Sequence, residues 1–239
     1  RALAGNVATT GSGPYVHTYS NDSADLAAKS FSCKLQRGSA TVGMEEFLGC
    51  CASSGTISIT AGEEATISME IIAKTSNARD SSITPTYNTT QTNVQHYEAG
   101  TISFNGVNYE VNSMEFSVEN SLERRNILGS KFTASPDVTS FRDCTITVEM
   151  VVQNAQANNL YNASIAGTES PVIIHFSETG GTDIMSFFLN NAIITDISEP
   201  LNTVGRLTVS CTFTALASPS GTAAWKIEVT NNQPNDWDS

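Results

Sequence analysis

Residues that often catalyse reactions or bind metals occur in this sequence, but they do not form a motif. The three histidines, His17, His96 and His175, lie far apart and lack the spacing of metal ligands. The adjacent Cys50 and Cys51 have neither the second cysteine pair nor the histidine partners that a zinc site would need. Neither of the glycine-rich phosphate-binding patterns occurs. The sequence therefore predicts a protein without catalytic, cofactor-binding or metal-binding residues.

The other three cysteines have a structural explanation. Cys33, Cys144 and Cys211 each occupy an apolar position in an alternating segment, where cysteine behaves as a small hydrophobic residue. The total of five is odd, so the simplest prediction is free thiols in a chain that folds in a reducing compartment.

The chemistry that the sequence does offer is electrostatic, and it lies on one side of several predicted strands. In residues 107–119 apolar and polar residues alternate, which predicts a strand with one buried and one hydrated face. The 12 Lys and Arg residues lie almost entirely in loops or at strand ends. The hydrated strand faces carry hydroxyl and carboxylate groups instead: Ser58, Thr60, Thr66, Ser68, Glu70, Glu115, Ser117, Glu119, Thr145, Thr147, Glu149, Thr208, Ser210 and Thr212.

A hydrophilic, acidic surface without cations repels phosphate, so it suits the wall of a channel for a polyanion. An ordinary hydrated face in an acidic protein is the alternative interpretation. The residues predicted to line the channel are Glu70, Glu115, Ser117, Glu119, Thr147, Glu149 and Ser210.

The elements that must position this face are mainly strands. Asn105-Gly106 separates two alternating segments, which is a strong hairpin signal, and residues 55–60 and 65–73 form a second candidate hairpin. In the second hairpin Ile67, Met69 and Ile71 are expected to face inward. Further strands are predicted at 15–19, 31–35, 142–152, 171–177, 187–198, 205–215 and 223–230, a helix at 154–165, and a turn-like segment at 44–51.

Two polar segments are candidates for contacts between subunits. The charged run at 121–125 is typical either of a hydrated surface or of inter-subunit ion pairs. Residues 74–98 are rich in Ser, Thr and Asn, which favours a linker or an arm that orders on a partner. The predicted interface residues are Glu123, Arg124, Arg125, Arg79 and Pro85.

Composition limits the class of protein. The chain has 239 residues, 39% of them hydrophobic, so it can bury a core. A net charge of −12 disfavours nucleic-acid binding through phosphate contacts. No run of 18 apolar residues is present, which predicts no membrane-spanning helix. Because the sequence begins at Arg1, we expect that residues preceding it are missing.

An internal similarity suggests a duplicated fold. Residues 2–74 and 163–215 share an order of elements: Ala-Gly, a strand, a Phe-Leu segment and a hairpin that ends in an alternating strand. The predicted division is therefore the back half of a first repeat (1–74), a linker or interaction arm (75–98), a second repeat (99–215), and a C-terminal strand with an acidic tail (216–239).

The order of segments resembles that of the tail tube (major tail) proteins of long-tailed bacteriophages. Six stretches carry the resemblance, which spans nearly all of residues 2–215: YVHTYS, FSCKLQRG, GTISITAGEEATISMEIIAK, VNSMEFSVENSLERRNILGS, RDCTITVEMVV and FFLNNAIITDIS with GRLTVSCTFTA. The resemblance implies an antiparallel β-sandwich or half-barrel with a flanking helix, of the type with two folds per chain. It also implies that each subunit contributes strands to a ring-shaped β-barrel.

What the resemblance implies about function is structural. Trimeric or hexameric rings would stack into a tail tube, assembled in the host cytoplasm, through which DNA passes without specific binding. The other expected partners are the tape measure, tail terminator and baseplate proteins, and no membrane is involved. A secreted or surface β-sandwich, such as an adhesin or pilin-like module, is the alternative, because it would explain the richness in Ser, Thr and Asn. A hydrolase would need a Ser or Cys beside a His and an acid, and the sequence offers no such set.

Overall fold

The computed structural model describes residues 3–21, 30–36, 44–77, 101–129, 136–177, 183–198, 207–217 and 222–232. Antiparallel strands dominate this part of the chain, and a single helix follows the eleventh strand. The elements are β1 (Gly5–Thr10), β2 (Tyr15–Asn21), β3 (Phe31–Gln36), β4 (Met44–Thr60), β5 (Thr66–Ile72), β6 (Thr75–Ser76), β7 (Thr101–Phe104), β8 (Val107–Glu119), β9 (Leu122–Glu123), β10 (Asp137–Val138), β11 (Asp143–Val152), α1 (Asn154–Ala166), β12 (Ser170–Ser177), β13 (Ile184–Ser198), β14 (Leu207–Ala215) and β15 (Trp225–Asn231).

Two layers share the long strands β8 and β13. The front sheet has the order β5-β4-β8-β11-β14-β13, and the back sheet has the order β1-β2-β15-β13-β12-β7-β8. In β13, residues 184–189 lie between β12 and β15, whereas residues 192–198 pair with β14. The pairing path β8-β7-β12-β13-β14-β11 therefore returns to β8. This architecture confirms the predicted antiparallel β-sandwich or half-barrel.

The core lies between the two sheets and follows from strand alternation. Met114, Phe116 and Val118 of β8 are buried, and every second residue of β11 and β14 joins them. Phe116 contacts both Phe187 and Trp225 of the back sheet, with ring centroids 5.3 and 5.5 Å apart. Burying one such side chain contributes roughly 1.5–3 kcal/mol, so these cross-sheet contacts hold the layers together.

Helix α1 flanks the sandwich, as predicted. Leu160 is fully buried, and the small Ala157 and Ala163 let the helix approach the strands closely. The helix ends at Gly167, whose φ of 59° is readily adopted only without a Cβ. The Gly167 N–H donates to Ser164 O, which satisfies one of the free carbonyls of the last turn.

The prediction of a turn-like segment at 44–51 is wrong, because these residues begin the 17-residue strand β4. Their backbone pairs with β3, and Cys50 and Cys51 are buried as small apolar side chains. Gly49, with a φ of 63°, lets the strand bend without ending it. The strand β1, which the sequence did not reveal, pairs with β2 at the edge of the back sheet.

The β4–β5 hairpin is confirmed, but the predicted inward orientation of its apolar residues is wrong. Ile67, Met69 and Ile71 are 66%, 40% and 37% exposed. The physical reason is topological: the back sheet ends at β8, and β4 and β5 extend the front sheet beyond that corner. The described residues therefore cover the core-facing side of β5 only in part.

The division into repeats stays a prediction. Strands from both predicted parts belong to one network, since β4 pairs with β8 and β2 pairs with β15. The predicted arm at 75–98 lies mostly outside the described residues, as does much of the predicted acidic tail.

Candidate functional site

The polar side of the front sheet is a continuous surface whose registers can be followed from strand to strand. Glu115 of β8 lies opposite Ser58 of β4 on one side and opposite Thr147 of β11 on the other. Thr147 in turn lies opposite Thr212 of β14, which lies opposite Asp196 of β13. Directly opposed residues of antiparallel strands project to the same side. One row of side chains therefore crosses five strands.

All seven residues predicted to line a channel lie on this surface. A second row runs from Glu70 through Ser54 and Glu119 to Asp143. A third contains Ser117, and a fourth joins Glu149 to Ser210. Each of the seven side chains is exposed or half-exposed, on the side opposite the core. We call this surface, made by Glu70, Glu115, Ser117, Glu119, Asp143, Thr147, Glu149, Asp196, Ser210 and the hydroxyl residues between them, the acidic face.

Hydroxyl groups on the acidic face satisfy one another across the strands. The Thr147 and Thr212 hydroxyls lie 3.0 Å apart, and those of Thr195 and Thr214 lie 2.9 Å apart. The Ser54 hydroxyl donates to a carboxylate oxygen of Glu70 over 3.5 Å. Because these short side chains are held close to the sheet, no hydrogen-bond donor extends from this surface to bind an anion.

Six carboxylates give the surface its charge, and the six strands that carry the surface supply no cation. Strands β4, β5, β8, β11, β13 and β14 contain no Lys or Arg. Glu119 and Asp143 even lie directly opposite each other, an arrangement that destabilises a sheet. Over a Debye length of about 8 Å at physiological ionic strength, such a surface repels phosphate groups.

Two residues of the acidic face, Asp143 and Asp196, were missed by the sequence reasoning. Asp143 has the same parity as Thr145 and Thr147, so extending the alternation by one step would have found it. Asp196 lies beyond a bulge between Ile194 and Asp196 that shifts the register, so simple alternation along β13 does not predict its orientation.

The two outer edges of the front sheet are the second feature with functional potential. In the described part of the chain, β5 pairs only with β4, and residues 193–198 of β13 pair only with β14. Both edges therefore present backbone N–H and C=O groups, and neither carries the Lys or Pro that commonly blocks pairing with another chain.

A third feature is the segment between β8 and β11, described at residues 120–129 and 136–142, which we call the excursion. Asn120 anchors its start: it is 1% exposed, and its side-chain amide donates to Ala52 O over 3.0 Å and to Leu3 O over 3.3 Å. Leu122 then packs against Cys51 and Ile72. Beyond this anchor, β9 and β10 pair as a two-stranded sheet that is separate from the front and back sheets.

The predicted interface residues Glu123, Arg124 and Arg125 lie on this excursion and are exposed. Arg125 forms an exposed ion pair of 3.4 Å with Asp137. The predicted residues Arg79 and Pro85 lie outside the described residues. Large apolar side chains accompany the charges on the excursion: Ile127, Leu128, Val138 and Phe141 are exposed, Leu128 completely.

The cysteines and histidines are structural where they are described. The cysteine thiols are free, and burial raises the pKa of Cys211 to about 12 and that of Cys144 well above its ordinary value. Thiols with such pKa values stay protonated and are poor nucleophiles. His17 is buried between Thr9 and Asn231, at 3.0 and 3.2 Å. Among the residues that the structure describes, no three His, Cys, Asp or Glu side chains are grouped to hold a metal.

Comparison with known proteins gives one family. A family model described as "Phage tail tube protein" matches residues 1–215, which is most of the chain. A comparison with curated proteins finds no match. In the described part of the chain, no helix has the length and apolarity needed to cross a membrane. The family match favours the tail tube interpretation over that of an adhesin or pilin-like module.

Proposed function

The chain belongs to the family of phage tail tube proteins, and from this membership we propose how its copies build the wall of the tube. It is a structural protein of the virion tail that assembles with copies of itself and with other tail proteins. The proposal is that the front sheets of neighbouring copies join edge to edge into a closed barrel. The acidic face would line its lumen.

The strand directions support this junction. The six strands of the front sheet alternate in direction, so β13 runs opposite to β5. When copies are related by rotation about one axis, β13 of one copy meets β5 of the next in antiparallel orientation. An even number of alternating strands thus allows every junction in the ring to be antiparallel, and closure removes both free edges.

The side chains support the same junction. On β5 the apolar residues share one side and the polar residues the other, and Ile194 and Ile197 of β13 likewise face the core while Asp196 faces outward. Joining the two strands continues the apolar side of one copy into that of the next. It would also cover Ile67, whose side chain is largely exposed in the protomer.

Ring size determines the width of the channel. With strands about 4.8 Å apart and tilted by about 40°, a trimeric ring of about 18 strands has a backbone diameter of about 36 Å. A hexameric ring of about 36 strands would measure about 72 Å by the same geometry. Side chains that point into the lumen reduce the open diameter of either ring by about 10 Å. A measured lumen diameter therefore distinguishes the two assemblies.

The observation that carries the proposed channel is the absence of Lys and Arg from all six strands of the front sheet. A wall of carboxylates and hydroxyls lets DNA pass because it offers no cation to hold a phosphate and repels the backbone at short range. This role needs no catalysis and no cofactor. The proposed partners are the tape measure, tail terminator and baseplate proteins. Residues 75–98 are proposed to form an arm that contacts an adjacent copy.

The test is a charge reversal on the acidic face. In purified tubes of the Glu115→Lys, Glu149→Lys variant, we expect normal tubes by electron microscopy that retain DNA fragments at low salt and release them at high salt, whereas wild-type tubes retain none. The matched control reverses Glu169, an exposed residue between α1 and β12 that belongs to no strand of the front sheet. Tubes whose reconstruction places Glu115 and Glu149 on the exterior would overturn the proposal.

A further inference from the structure

The two ends of the front sheet differ in chemistry. At one end the described part of the excursion after β8 carries exposed apolar side chains together with Glu123, Arg124 and the ion-paired Arg125 and Asp137. At the other end the turn between β4 and β5 carries Glu63 and Glu64, both exposed. Among the described residues, Arg124 and these two glutamates form no ion pair.

The register shows that these features lie at opposite ends of the same strands. The Ala61 N–H at the turn donates to Asn112 O over 2.9 Å, so the turn lies beside the middle of β8. The excursion begins after Glu119, seven residues further along that strand. At about 3.4 Å per residue, the two features are separated by about 24 Å along the strand direction.

We propose that the excursion of one copy docks on the Glu63-Glu64 turn of a second copy in the next ring, which makes it the axial contact of the tube. This inference rests on the proposed function, because in a barrel of tilted strands the strand ends form the two rims of the ring. Rings stacked with one polarity bring unlike rims together. The occupant of the excursion is therefore a copy of this chain, and it supplies the opposite charge.

The apolar side chains give the contact an attractive component that does not depend on charge. Leu128 is fully exposed and Phe141 is 90% exposed, although both are of types that proteins usually bury. They lie on the same excursion as Arg124, so docking would cover them while the charges set the register. A patch of this kind rimmed by charge is typical of a protein–protein contact.

The test separates stacking from ring formation. Ring mass is measured at low protein concentration by light scattering, and tube formation at higher concentration by sedimentation and electron microscopy. For Arg124→Glu, and separately for Glu64→Arg, we expect rings of normal mass. The concentration threshold for tubes should be about fivefold higher, which corresponds to the upper range for one exposed ion pair. The Arg124→Lys control keeps the charge and the wild-type threshold.

The double variant Arg124→Glu, Glu64→Arg has the net charge of the wild type and should restore tube formation. If the single variants form tubes at the wild-type threshold, or the double variant fails to restore it, the axial contact is refuted. If Arg124→Glu forms no rings, Arg124 belongs to the lateral junction, and the proposed axial contact is refuted as well. If the wild type forms no rings, it is the proposed function that fails.

Discussion

Replacing Ile67 and Met69 of β5 by serine should prevent ring closure while leaving the protomer folded. The two side chains are 66% and 40% exposed, so the isolated protomer buries only about half of their combined surface and should remain folded without them. In the proposed junction a neighbouring β13 covers them. Since full burial of such a side chain contributes about 2 kcal/mol, the parts still exposed are together worth about 2 kcal/mol per junction.

A loss of that size weakens each junction about 30-fold. Every copy in a closed ring makes two junctions, so the concentration at which rings form should rise steeply. We expect wild-type rings and variant protomers at the same micromolar concentration when the mass is measured by light scattering. Urea unfolding of the dissociated protomers should still be cooperative, with a free energy of unfolding that is lower by no more than about 2 kcal/mol, the value of the parts already buried in the protomer.

The matched control is Ile165→Ser on α1. Ile165 is 71% exposed, slightly more than Ile67, but it lies on the helix and not on an edge of the front sheet. This variant should form rings as the wild type does. Rings of normal mass and stability from the Ile67→Ser, Met69→Ser protein would refute the edge-to-edge junction, since a covered apolar strand cannot tolerate the change without cost.

Two further predictions concern the protomer itself. Asn120→Ala removes one buried and one half-buried hydrogen bond at the start of the excursion, so it should lower the free energy of unfolding by about 1–3 kcal/mol in urea titrations. The control Asn126→Ala changes an exposed side chain and should leave the free energy of unfolding unchanged. The folded state keeps a proton on the Cys211 thiol that the unfolded state loses above the ordinary pKa of 9.0, so the free energy of unfolding should fall as the pH rises from about 9 toward 12. In Cys211→Ala the free energy of unfolding should decline less over this range. An equal decline would contradict the raised pKa of Cys211.

The sequence predicted the elements whose patterns are local. Alternation is strict in residues 113–119 of β8 and throughout β11, so the buried and hydrated faces of these segments were both correct. The Asn105-Gly106 turn was recognisable because both residues adopt positive φ, at 49° and 73°, which this dipeptide tolerates. Helix α1 was recognisable from its spacing of apolar residues and its terminal glycine.

The errors arose where long-range topology overrides the local pattern. Residues 67–71 alternate as a buried strand would, but whether that apolar side is covered depends on where the back sheet ends. Residues 44–51 contain small residues typical of a turn, yet pairing with β3 extends them into β4. The orientation of Asp196 depends on a bulge, which the amino-acid sequence does not display.

An acidic wall raises the question of how copies join at all, because closing the ring brings like charges together. In the proposed junction, Glu70 on β5 of one copy and Asp196 on β13 of the next both face the lumen. Two such charges about 8 Å apart in water repel by about 0.5 kcal/mol, and physiological salt reduces this further. The apolar side of the same junction contributes about 2 kcal/mol from Ile67 and Met69 alone. Hydrophobic burial on one side of β5 therefore outweighs the repulsion on the other, so the lumen can stay acidic without preventing closure.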